Sequence, residues 1–153
     1  MTRLIGVDPG YNMTGIAVMM RGEFVFWAES NDPCAIWEII FQNAADSRQR
    51  VKVILEDFLG SGPRNKWNQR TIEILGYIYF SCVGANIPCE RVPQWKRKAS
   101  VCKVPEYIRG KDEIAAAAHV LAYREGRLRD RTRMANKANG RVLRRASPTD
   151  AAG

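Results

Sequence analysis

Two apolar runs in this chain each end on a carboxylate and then turn. "LIGVDPG" carries the run from Leu4 into Asp8, Pro9 and Gly10, and "VKVILEDFLG" carries the run from Val51 into Glu56 and a glycine-containing loop. A short apolar run bounded by turn residues reads as a buried strand, which puts Asp8 and Glu56 at the C-terminal ends of two core strands. Pro9 fixes φ and Gly10 can take positive φ, so the backbone reverses while Asp8 stays aimed outward. Asp8 could equally start its turn through a local side-chain hydrogen bond. Strand alternation turns Asp57 away from Glu56 unless the strand has already ended. If the two strands are parallel neighbours, both carboxylates emerge at one sheet edge, where open α/β folds place ligands.

The other elements follow from periodicity and punctuation. "IAVMMRGEFVFWAES" reads as two strands joined through Arg21 and Gly22, completing an antiparallel meander. Asp32 as N-cap and Pro33 at the first helical position open a helix with Ile36, Ile39, Ile40 and Phe41 on one stripe. A second helix is predicted over residues 67–85, with Ile72, Leu75, Ile78 and Tyr79 at helical spacing and Gly76 weakening it. Residues 87–92 can form a short strand. Residues 111–123 are helical from their alanines, with Asp112 and Glu113 in the first turn, where carboxylates suit the helix dipole. From Asn136 onward the composition suggests a partly disordered end. Three strands, helix, strand, helix, strand, helix describes an α/β domain around a mixed sheet.

At 153 residues and 46% hydrophobic, the chain can bury one ordinary core. It has no apolar stretch of membrane-spanning length and no basic region leading into a long apolar one, so a soluble cytoplasmic protein is expected. The four cysteines lie far apart without a CxxC pair, and His119 is the single histidine, so neither a zinc site nor a disulfide framework is signalled. The charge is uneven: nine basic and two acidic residues fall within 124–145, so that segment carries +7 of the chain's +8. Such a segment suits a polyanion, nucleic acid before an anionic membrane, although it also suits a solvated helix face.

Converging carboxylates repel, and one takes up a proton unless a cation resolves the conflict. Mg²⁺ favours a few carboxylates with waters and phosphate oxygens. Two such ions can activate water and stabilise the leaving oxygen of a phosphodiester.

On these residues a family resemblance emerges. "IGVDPGYNMTGIAV" resembles the first motif of RuvC-type Holliday-junction resolvases of the RNase H-like superfamily, "VILEDFLG" the second, and "KDEIAAAAHVLAY" the C-terminal acidic helix. Phage-type members with short basic tails are the most similar. The resemblance implies an RNase H-like mixed five-stranded sheet flanked by helices over residues 1–126, followed by a basic, partly disordered tail over 127–153. It implies a homodimer that nicks branched DNA in recombination and repair, with Mg²⁺ as cofactor and Mn²⁺ able to substitute. Asp8 matches the first carboxylate and Glu56 the second. The third motif departs from the family pattern, an Asp or His followed three residues later by an Asp: here Asp112 is followed by Ala115, and Glu113 by Ala116. Asp112 and Glu113 either share the metal role or only favour the helix dipole.

For DNA contact, Phe58, Arg64 and Lys66 follow the Glu56 strand, Phe58 being able to stack on an unpaired base or to lie in the core. Lys96, Arg97 and Lys98 sit beside Trp95, and Arg127, Arg131 and Arg133 lie in the basic segment. His119, without a second histidine, reads as a core or surface residue rather than a catalyst. Competing readings are a nucleotide-binding ATPase or sugar kinase, which normally needs two such domains, a non-catalytic branched-DNA-binding protein, and a nuclease acting on RNA or hybrids.

Overall fold

The structure is a computed structural model that describes residues 2–45, 50–57, 66–93 and 100–145. The chain divides into two compact units, Met1–Tyr123 and Arg124–Gly153. Strands β1 (Thr2–Asp8), β2 (Thr14–Met20) and β3 (Glu23–Ser30) precede helix α1 (Pro33–Ala45), then β4 (Arg50–Asp57), α2 (Lys66–Gly84), β5 (Cys89–Pro93) and α3 (Lys111–Arg145). The sheet has five strands in the order β3-β2-β1-β4-β5. β1 runs antiparallel to β2 and parallel to β4, and β4 runs parallel to β5. The element order predicts an α/β domain around a mixed sheet, and the structure has one: five strands flanked by helices. Arg21 and Gly22 join β2 to β3 with φ of 56° and 95°, the left-handed pair that a two-residue hairpin turn of matching twist requires.

Side-chain alternation divides the sheet into two unlike faces. Ile5, Val7, Ile16, Val18, Val53 and Leu55 pack against Ile36 and Ile40 of α1 and Ile74, Leu75 and Ile78 of α2. On the other face Ala17 and Met19 meet Ala116, Ala117 and Val120 of α3. There α3 lies against the strands: a Cβ at Gly6 would collide with the Ala116 carbonyl oxygen, and one at Gly15 with that of Asp112. At the far end of this contact, Lys52 of β4 stands 4.9 Å over the Tyr123 ring and 2.6 Å from Glu90.

Several expectations are corrected. Phe41 is exposed, its ring 5.9 Å from that of Trp37, because the inward stripe of α1 is only wide enough for Ile36 and Ile40 with Ile39 at its margin. Ile72 is likewise outside: the buried stripe of α2 runs through Thr71, Ile74, Leu75, Ile78 and Cys82. Helix α3 extends past Tyr123 to Arg145, so residues 136–145 are helical. Among described glycines only Gly22 has positive φ, so Gly10 is required for space instead: a Cβ there would collide with the Met13 carbonyl oxygen. None of the four cysteines forms a disulfide. No described helix is long and apolar enough to cross a membrane.

Candidate active site

The register of β1 and β4 ends at the pair Val7–Leu55. One residue further, Asp8 and Glu56 leave neighbouring parallel strands side by side. Both continue the alternation of Gly6 and Ile54, so they project onto the face that α3 covers rather than into the branched-aliphatic core. A cleft of about 560 Å³ opens there, lined by Asp8, Glu56 and Asp112 among others. Both strand-end carboxylates are deep, with Asp8 7% and Glu56 3% exposed.

A third group meets them. His119 is fully buried, and its Nε2 lies 2.8 Å from Glu56 Oε2 and 3.4 Å from Asp8 Oδ1. Its Nδ1 has no hydrogen-bond partner among the described residues, so the polar contacts that orient the ring all run through Nε2. Burial pulls the His119 pKa down, but hydrogen bonds to Asp8 and Glu56 and the two carboxylate charges outweigh it, leaving the pKa above the ordinary histidine value. Asp8, Glu56 and His119 offer ligand atoms that all lie within 4.8 Å of one another. Sequence reasoning set His119 aside. The available signal was helical spacing, since residues 112, 115 and 119 share one face of α3.

The acidic helix resolves into two registers. Asp112 and Ala115 line the cleft, with Asp112 Oδ1 3.9 Å from where a Gly10 Cβ would stand, whereas Ala116 is buried against the sheet. Glu113 does not line the cleft: its Oε2 accepts the Gly110 N–H at 3.0 Å. That is the reciprocal half of a helix cap, an N3 glutamate satisfying the backbone donor just before the helix. Sequence reasoning paired Glu113 with Asp112; here its carboxylate meets the Gly110 N–H, while Asp112 lines the cleft. Arg109 and Lys111, which sequence reasoning did not single out, bring positive charge to the cleft wall.

Phe58, Arg64, Lys96, Arg97 and Lys98 lie outside the described residues, and Lys66 is the first residue of α2. Arg127, Arg131 and Arg133 lie on α3 beyond Tyr123, in the second compact unit.

No family model and no curated protein sequence matches this chain. Solved structures do. Thermus thermophilus RuvC in complex with a Holliday junction substrate superposes with a TM-score of 0.65 at 14% identity, over 80% of this chain and 92% of that one. The chain has the RuvC fold. A second Thermus thermophilus RuvC structure gives a TM-score of 0.59 at 13% identity, over 78% of this chain and 92% of the other. The likeness is one of fold. At this identity it leaves the chemistry to be argued from the residues.

Proposed function

We propose that this chain is a divalent-metal-dependent endonuclease that cleaves four-way or other branched DNA by paired phosphodiester hydrolysis, working in the cytoplasm as a homodimer in recombination and repair. The observation that carries the reading is the convergence of Asp8, Glu56 and Asp112 on one cleft of a RuvC fold. The donor set suits a divalent ion: two deep carboxylates at adjacent strand ends stay ionised together only beside positive charge. Asp8, Glu56 and Asp112 would hold Mg²⁺, or Mn²⁺ in its place. Such an ion, when bound, supplies an activated water and stabilisation of the leaving oxygen.

The remaining work falls to the chain itself. Arg109 and Lys111 attract a phosphate to the cleft wall. The +7 segment over residues 124–145 supplies general phosphate affinity, with Arg127, Arg131 and Arg133 among its contacts. Phe58, Arg64 and Lys66 are assigned to DNA contact after the Glu56 strand, and Lys96, Arg97 and Lys98 to phosphate contact. Paired nicks across a two-fold junction need two identical sites, which a two-fold dimer provides. The outward face of α2 supports it: Ile72, Phe80 and Val83 form an exposed apolar stripe opposite the core, with Phe80 72% exposed. We assign the interface to this stripe, since Leu75 and Ile78 of the same helix are core.

Ala115, at the cleft wall where an acid is expected, favours a second reading in which the protein binds branched DNA without cutting it. One experiment tests both. Labelled four-way junction, duplex and RNA/DNA hybrid are incubated with the protein in Mg²⁺, Mn²⁺ or chelator, alongside the Asp8→Asn and Glu56→Gln variants. Metal-dependent junction cleavage that falls at least about 10³-fold in both variants, with binding retained, is the expected result. Cleavage surviving in either variant removes the assignment, and binding without cleavage by the wild type establishes the second reading.

A further inference from the structure

We infer that His119 Nε2 is a direct ligand of the divalent ion and tilts this site from Mg²⁺ toward a first-row transition-metal ion such as Mn²⁺. This rests on the metal-dependent reading of the cleft and specifies which ion and which ligands. The third motif leaves a gap, because Ala115 on the cleft wall offers only a methyl group. The next residue of α3 on that face is His119, one turn deeper. Its ring nitrogen points at both strand-end carboxylates.

The three groups stand close enough to share one small ion, their ligand atoms all lying within 4.8 Å of one another. Ligands bonded at ~2.0–2.1 Å in octahedral geometry stand roughly 3.0 Å apart when adjacent. Nε2 is 2.8 Å from Glu56 Oε2 and 3.4 Å from Asp8 Oδ1, bracketing that value. A fully buried imidazole must find a polar partner, and those two carboxylates are the partners it has among the described residues. A nitrogen donor changes the choice of metal. Mg²⁺ is hard, dehydrates reluctantly and prefers oxygen throughout, whereas first-row transition-metal ions accept a nitrogen donor more readily, Mn²⁺ the least strongly of them, so a mixed oxygen and nitrogen set raises their affinity relative to Mg²⁺. Gly6 and Gly15 make the contact possible by letting the backbone of α3 come down onto the sheet.

His119 is the chain's only histidine, so ¹⁵N-histidine labelling marks this one residue. Untagged protein, prepared with natural and with ¹⁵N-labelled histidine, is loaded with Mn²⁺ and measured by pulsed electron paramagnetic resonance. The expected result is a hyperfine coupling from a directly bonded nitrogen that changes with the label. Calorimetry on the same protein is expected to give Mn²⁺ binding about 10-fold or more tighter than Mg²⁺, with that ratio falling in a folded His119→Asp variant. Bound Mn²⁺ without an isotope-sensitive bonded-nitrogen coupling overturns the inference and leaves the nuclease reading standing, with His119 only positioning Glu56. Equal wild-type affinities for the two ions overturn the selectivity. Failure to bind either ion overturns the nuclease reading together with the inference.

Discussion

The two faces of the sheet are packed by opposite means. Against α1 and α2 the strands present Ile5, Val7, Ile16, Val18, Val53 and Leu55, and the helices answer with Ile36, Ile40, Ile74, Leu75 and Ile78. Branched side chains hold those layers apart. Against α3 the facing residues include Gly6, Gly15 and Ala17 on the strands and Ala116 and Ala117 on the helix, so backbone approaches backbone. The first face fills its space with removable methyl groups, whereas the second is set by how closely two main chains can lie. Only the second brings a helix near enough to lower His119 between Asp8 and Glu56. Stability is spread over the branched face, and the candidate site depends on the close one.

The largest expected effect follows from that difference. Gly6→Ala places a methyl group against the Ala116 carbonyl oxygen and 2.7 Å from Val120 Cγ2, and the main chain cannot rotate out of the way as a side chain would. A loss of about 3–5 kcal/mol is expected in chemical denaturation, with metal affinity lost along with it as α3 is lifted. Ile78→Ala, on the other face, leaves a cavity and is expected to cost ~2–4 kcal/mol while the metal affinity of the folded fraction stays within about twofold. If Ile78→Ala disturbs metal binding as much as Gly6→Ala does, the two faces are not separable in this way.

The branched face was legible in the sequence because each of its signals is local. Apolar runs ending in Asp8 and Glu56 marked two strands, the Arg21–Gly22 pair marked a hairpin, and Asp32, whose Oδ1 accepts the Cys34 N–H at 2.9 Å, marked the start of α1. Periodicity located the helices but not the width of their buried stripes, which depends on how each helix sits over the sheet; Phe41 and Ile72 were misplaced for that reason. The close face was harder to read. His119 lies 63 residues from Glu56, and their meeting depends on an approach that only the absent Cβ atoms of Gly6 and Gly15 permit. Glu113 was ambiguous for another reason: a carboxylate at the start of a helix serves equally as cap or ligand, and the sequence does not show which group it meets, here the Gly110 N–H.

A smaller effect sharpens the comparison by pH. The folded-state pKa of His119 is raised, so its protonated ring stabilises the metal-free protein fully below the unfolded value of about 6.5, and that stabilisation is lost as pH rises through the folded value. In chelator the melting temperature is therefore expected to fall as pH rises above about 6.5. Saturating Mn²⁺ is expected to reverse the trend, because the ion and the proton compete for the same nitrogen. A melting temperature in chelator that is flat or rising over this range would show that the Asp8–Glu56–His119 contact does not hold a proton in the folded protein.

The smallest effect is the most informative about the outside of the branched layer. Gly76 lies one helical turn from both Ile72 and Phe80 on the exposed stripe of α2, and a Cβ there would meet nothing within 4 Å among the described residues. If that face is open to water, Gly76→Ala removes backbone freedom from the unfolded chain and stabilises the helix by about 0.5–1 kcal/mol at every protein concentration. If a second copy packs over the stripe, the added methyl group falls inside the interface. The variant then gains stability only in dilute solution, where monomer prevails, and loses dimer affinity in sedimentation, while the wild-type unfolding midpoint rises with protein concentration. The homodimer reading requires the second pattern. A uniform gain, together with a wild-type protein that sediments as a monomer both alone and on junction DNA, would mean that the stripe faces solvent and that paired cleavage has to be organised without a two-fold partner.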